Sequence, residues 1–213
     1  MIIIEDKANK QGLHEIKNEY WQRQGIPVER YPLPVGDYIL INDKVQDVID
    51  RKSKRGIEVK KMDFLGSYKI CIDTKKDIQE LIGDICGKQH DRFRDELVLA
   101  QNNGIKLIIL VEDDGGYCDY KKTIYNKPVM NLDDLFRWKN PRLFIWKNGK
   151  QLYPTATKGA VLAKACKTME KKYGCSFQFC RKSDAGRKII ELLIGDGNPS
   201  DADIERTKYG RVI

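Results

Sequence analysis

Tyr68-Lys69-Ile70-Cys71-Ile72-Asp73-Thr74-Lys75, followed by Lys76-Asp77-Ile78-Gln79-Glu80-Leu81-Ile82-Gly83-Asp84-Ile85, is the stretch on which the fold turns. Ile70 and Ile72 alternate with period two, which predicts a short strand. After Lys75 the spacing changes: Ile78, Leu81, Ile82 and Ile85 stand at i, i+3, i+4 and i+7, which predicts a helix. A strand thus ends in Asp-x-Lys and runs into a helix that carries Glu80. Residues two apart in a strand face the same way, so Asp73 and Lys75 project together, with Glu80 nearby at the start of the helix.

Those residue types suit metal-assisted hydrolysis of a phosphodiester. Mg2+ or Mn2+ takes carboxylate oxygens and keeps waters, one of which can act as nucleophile. A lysine beside the ion can help deprotonate that water or offset charge building on phosphorus. A further carboxylate is available upstream, where Pro34-Val35-Gly36-Asp37-Tyr38-Ile39-Leu40-Ile41 reads as a turn entering a strand with Asp37 at its mouth.

Gly36-Asp37, then Cys71-Ile72-Asp73-Thr74-Lys75 running into Leu81-Ile82-Gly83, resembles the nuclease domain of the XPF family of structure-specific DNA endonucleases. The resemblance extends through Arg92-Phe93, Glu96 and the strand Lys106–Glu112, and covers residues 158–194 loosely. It implies a restriction-endonuclease-like α/β core with a mixed central sheet flanked by helices, and a divalent-metal-dependent endonuclease acting on branched or single-stranded DNA. The residues it implies are Asp37, Asp73, Lys75 and Glu80 for catalysis, with Asp37, Asp73 and Glu5 holding the metal. Three departures accompany it. The family's Glu-Arg-Lys is Asp73-Thr74-Lys75, and its trailing acid is Glu80, five residues beyond the lysine where the family has four. In the first segment Glu5 takes the place of the family's aspartate, and Ala8 that of its glutamate. Two rival readings follow: a DNA-binding partner subunit with a weakened site, and a junction-resolving or DNA-degrading nuclease on the same core.

The 213 residues include 39 Lys and Arg against 31 Asp and Glu, a formal charge of +8, which favours a polyanionic partner. Lys54, Arg55, Lys60 and Lys61, in a stretch between the strands at about 53–67, together with Arg92 and Arg94, are candidates for backbone phosphates. One nuclease domain is expected over residues 1–195, with insertions at about 53–67 and 113–157 and a polar tail over 196–213. A homodimer or a partner subunit is left open.

Six cysteines without a CxxC pair, and only two histidines, argue against zinc and for buried free thiols. No apolar run approaches the roughly 18 residues of a membrane helix. The opening Met1-Ile2-Ile3-Ile4-Glu5 has no basic leader, so a cytoplasmic protein is expected.

Further expectations concern local structure. A helix is predicted over about Leu13–Gln24, with Leu13, Ile16 and Tyr20 on one face. Val45–Ile49 is read as the second strand of a hairpin turning at Asn42-Asp43-Lys44, ending in a rival motif, Asp50-Arg51-Lys52. Leu143–Trp146 is read as a strand. The aromatics Tyr117, Tyr120, Tyr125, Trp138, Trp146 and Tyr153 are expected in the core, although they could also stack on unpaired bases.

Overall fold

A computed structural model describes residues 1–195 except Gln11 and Leu13. The strand predicted around Ile70 forms the middle of a six-stranded sheet. In chain order the sheet's elements begin with β1 (Ile3–Asp6), α1 (Glu15–Arg23), β2 (Val28–Tyr31), β3 (Tyr38–Leu40), α2 (Asp43–Lys54) and β4 (Ile70–Lys75). They continue with α3 (Ile78–Cys86), α4 (His90–Asn102) and β5 (Lys106–Glu112). Two short hairpins follow, β6 (Gly116–Tyr117) with β7 (Tyr125–Asn126), and β8 (Trp146–Lys147) with β9 (Lys150–Gln151), separated by α5 (Leu132–Arg137). The described residues end with α6 (Gly159–Tyr173), β10 (Ser176–Cys180) and α7 (Ala185–Ile194). The large sheet has the order β10-β5-β4-β3-β1-β2. Strand β1 runs parallel to β2 and antiparallel to β3, and β3 is antiparallel to β4. The expected mixed sheet flanked by helices is therefore what the chain forms.

The chain gathers into two units. The first comprises, among the described residues, those of 1–73, 102–108 and 183–195. Its core holds Ile3, Ile4, Trp21, Tyr38, Ile39, Val45, Phe64 and Ile72. Helices α1 and α7 meet there because residue 186 is glycine: a Cβ at that position would lie 2.9 Å from the Tyr20 ring. The gap lets Trp21 Nε1 donate a 2.9 Å hydrogen bond to the Gly186 carbonyl, and the indole is fully buried. The second unit comprises Thr74–Gln101 and Ile109–Lys182, with Leu81, Phe93, Leu97, Leu110, Leu135, Leu162 and Cys166 in its core.

Several local expectations are corrected. Val45–Ile49 is part of helix α2, and no hairpin forms at 42–44. Asn42 caps the helix, its Oδ1 accepting from Val45 N at 3.0 Å. Val45, Val48 and Ile49 also stand at i, i+3 and i+4, and with the cap satisfied the helical reading wins. Helix α1 buries Lys17 and Trp21 and leaves Ile16 53% exposed, because the indole offers more apolar area and a buried hydrogen bond. Leu13 lies outside the described residues, as does the tail over 196–213. In place of a strand at Leu143–Trp146 there is a 3-10 turn over Pro141–Phe144, and only then the β8–β9 hairpin. Of the six aromatics expected in the core, Trp138 alone is buried. The six cysteines are free, and all but Cys86 are buried, as expected. Among the described residues no helix is long and apolar enough to cross a membrane.

Candidate active site

Asp37 owes its position to the glycine before it. Gly36 has φ of +74°, in the region that glycine tolerates and other residues resist. It also passes so close to β4 that a Cβ would stand 3.0 Å from Cys71 Cβ and Sγ and 3.1 Å from the Ile72 carbonyl oxygen. Asp37 N then donates to Ile72 O at 2.7 Å, and Asp37 O accepts from Asp6 N at 2.7 Å. The backbone of Asp37 is thus bonded to the strands on both sides, next to Asp73, whose side chain is buried at 5% exposure.

Glu5 is held differently. The register pairs Glu5 with Tyr38 and Tyr38 with Ile72, and side chains in one such row share a face of the sheet. Asp73 follows Ile72 and so alternates to the other face. Glu5 accepts from the Tyr38 hydroxyl at 3.5 Å and lies 3.5 Å from Arg30 Nε. Burial raises its pKa above the usual carboxylate range, with Arg30 opposing the rise and the nearby charge of Asp37 adding to it. His14 Nε2 lies 4.0 Å from Glu5 Oε1. Burial, with Lys17 second, lowers the imidazole pKa, so at neutral pH this approach is not an ion pair. The fold brings Glu5 within electrostatic reach of Asp37 and sets it on the opposite face from Asp73.

Beyond Asp73 the strand delivers Lys75, whose Nζ meets Asp84 Oδ2 at 2.7 Å with both side chains 5% exposed. The same Nζ lies 5.2 Å from the centroid of the Phe93 ring. Glu80 is engaged by the backbone around the start of α3. Asp77 Oδ1 accepts from Glu80 N at 2.8 Å, and Glu80 Oε2 accepts from Lys76 N at 2.9 Å. This reciprocal capping box starts α3 and leaves Glu80 exposed. Asp84, one turn further along, is the acid that the fold turns inward. Its signal was present in the sequence: an aspartate on the apolar face of a helix, three residues from Leu81 and beside Ile85. Glu112, at the end of β5, is a second buried acid that sequence reasoning gave no role.

The other nominated residues lie elsewhere. Asp50, Arg51 and Lys52 lie on α2, where about 100° of rotation per residue spreads a tripeptide around the helix. Asp50 is exposed and accepts from Gln46 Nε2 at 2.8 Å, while Lys52 pairs with Asp63 at 2.8 Å. Lys54 and Arg55 end α2, and Lys60 and Lys61 lead into a 3-10 turn over Lys61–Phe64; all four are exposed. Arg92 is exposed on α4, and Arg94 pairs with Asp91 and Asp95, each at 3.1 Å.

Among the described residues no three His, Cys, Asp or Glu side chains lie close enough to hold one metal ion. Mg2+ needs only one or two carboxylates when waters complete its shell. The donors on the first unit are hard oxygens of that kind. Asp37 and Asp73 offer carboxylate oxygens from neighbouring strands, while Glu5, whose pKa is raised chiefly by burial, stands on the face opposite Asp73. The donor set fits such an ion.

Residues 7–193 match the model of the ERCC4 domain family. Among solved structures, XPF from Aeropyrum pernix is similar at 13% identity, with 100% of this chain and 76% of that one covered and a TM-score of 0.48. XPF from the same organism in complex with DNA is similar at 12% identity, covering 99% of this chain and 76% of that one, again with a TM-score of 0.48. No curated protein matches the chain.

Proposed function

Because the chain belongs to the ERCC4 domain family, we propose that it is a divalent-metal-dependent DNA endonuclease of XPF type, cutting branched or single-stranded DNA. The observation that carries this reading is the end of β4: a buried Asp73, then Lys75 two residues on, fixed by Asp84 at 2.7 Å. A divalent ion held by Asp37 and Asp73 would supply a polarised water and neutralise charge on the phosphate. Lys75 donates from Nζ toward a phosphate oxygen as negative charge builds there. Asp84 keeps that ammonium group in one place, and a group already fixed need not be ordered when the substrate arrives. Exposed cations at Lys54, Arg55, Lys60, Lys61 and Arg92 would bind the DNA backbone without reading sequence.

A second reading, a DNA-binding partner with a weakened site, is favoured by two observations. Glu80 is committed to starting α3, and Ala8 stands where the family carries a glutamate. One assay separates the two. Purified protein is offered flaps, forks, four-way junctions and single strands with Mg2+ or Mn2+. The nuclease reading expects cleavage that Asp37→Asn and Asp73→Ala each reduce by about two orders of magnitude or more, with binding in EDTA nearly unchanged. Asp50→Ala, on an exposed helix, should cleave like the wild type. Binding without cleavage in either metal would establish the partner reading.

A further inference from the structure

Tyr117, Tyr120, Tyr125, Trp146 and Tyr153 are open to solvent, although aromatic side chains gain most when buried. Trp146 is 60% exposed at the start of a hairpin built to present it. Asn148 and Gly149 take φ of +51° and +72°, forming a two-residue turn whose twist matches its strands. The register pairs Trp146 with Gln151 and Lys147 with Lys150. Trp146 and Gln151 thus occupy one face of the hairpin, and the two lysines the other. Just beyond the hairpin, the Arg142 guanidinium lies 5.9 Å from the centroid of the Tyr153 ring.

The segment that carries this hairpin bears charge of one sign. Residues 139–158 contain Lys139, Arg142, Lys147, Lys150 and Lys158, and no aspartate or glutamate. We propose that the β8–β9 hairpin and Tyr153 form a stacking platform for the unpaired bases of a single-stranded nucleic acid, with the positive charge of Lys147 and Lys150, on the hairpin's other face, attracting the phosphates that run along its edge. Every base offers a π-face to an indole or a phenol, and each nucleotide brings one negative charge, so both halves of the surface are matched. A protein partner is the poorer fit, since lysine is depleted where protein interfaces bury aromatics. The inference deepens the nuclease reading and rests on it for the view that unpaired DNA is the substrate. Binding is therefore measured without divalent metal, so that the two can fail separately.

The chain has three tryptophans, and Trp21 and Trp138 are buried, which makes Trp146 the exposed reporter. The 213-residue chain in EDTA is titrated with an oligothymidylate of about 20 nucleotides and with a duplex of the same length. Saturable quenching of tryptophan emission by the single strand is expected, and Trp146→Phe should remove most of it. Trp146→Ala and Tyr153→Ala should each weaken single-strand binding roughly fivefold or more, with duplex binding changed less than about twofold. Lys147→Gln with Lys150→Gln should reduce the salt slope by about 0.7 for each phosphate that is no longer neutralised. Absence of quenching in the wild type overturns the proposal without recourse to any variant. So does an equal loss on single strand and duplex. A change of oligomeric state in Trp146→Ala, with single-strand affinity unchanged, would assign the surface to a protein partner and also overturn it.

Discussion

Replacing Asp84 with asparagine removes the 2.7 Å partner of Lys75 while keeping the side chain's shape. At that separation two unit charges attract by about 6 kcal/mol at an effective dielectric constant near 20. Much of that is offset by the cost of taking both groups out of water, so the pair's net worth is small. Breaking it is a different matter, since removing one partner of a buried ion pair costs about 3–5 kcal/mol. Lys75 keeps the Phe93 ring at 5.2 Å and asparagine can still accept a hydrogen bond, which places Asp84→Asn at the lower end, about 3 kcal/mol. For a chain of this size that is a fall of roughly 6–12 °C in melting temperature. Thermal and urea unfolding of the wild type, Asp84→Asn, Lys75→Met and the double variant would measure it. The double variant buries no charge at these positions and should be more stable than the sum of the single losses predicts, by about 2 kcal/mol. High salt should change little, since buried pairs are poorly screened. Losses that add to within about 0.5 kcal/mol would show that the two residues are not coupled and would refute the reasoning. Well below its melting point, Asp84→Asn should also cleave more slowly, because Lys75 has lost its 2.7 Å ion pair with Asp84.

Three further outcomes are expected. Gly36→Ala should destabilise the fold by about 1–3 kcal/mol in urea unfolding, because its backbone is left-handed and the new methyl group meets Cys71; a neutral effect would mean that the turn is not what sets Asp37. Glu5 holds its proton more tightly when folded than its ordinary value of 4.5 allows, chiefly through burial. Its contribution to stability is therefore complete at low pH and is lost as pH rises through the raised value, so Glu5→Gln should flatten the stability profile above about pH 4.5; an unchanged profile contradicts this. Replacing Lys54, Arg55, Lys60 and Lys61 together with alanine should reduce the slope of log affinity against log salt by about 0.9 for each phosphate that is no longer neutralised. An unchanged slope would show that these residues face away from DNA.

The sequence by itself determined the elements whose causes are local. Alternation at Ile70 and Ile72 made β4, the spacing of Ile78, Leu81 and Ile85 made α3, and Asp77 with Glu80 supplied the cap between them. Gly36 before Asp37 marked a position where the backbone needs positive φ. The same local chemistry misled where two periods overlapped, as at Val45, Val48 and Ile49, where the Asn42 cap settled the matter in favour of helix. What only the tertiary structure decided was which charged groups meet. Glu80 and Asp84 are both acids on α3 near Lys75. The capping bond turns Glu80 outward, and the helical turn carries Asp84 in. Glu5 is a strand residue near the mouth of Asp37, yet register places it on the face opposite Asp73. The aromatics of 113–157 have no periodicity strong enough to say which is core, and only packing separated buried Trp138 from exposed Trp146. Periodicity and caps act over a few neighbouring residues, whereas charge pairing and burial depend on distances between segments far apart in the chain.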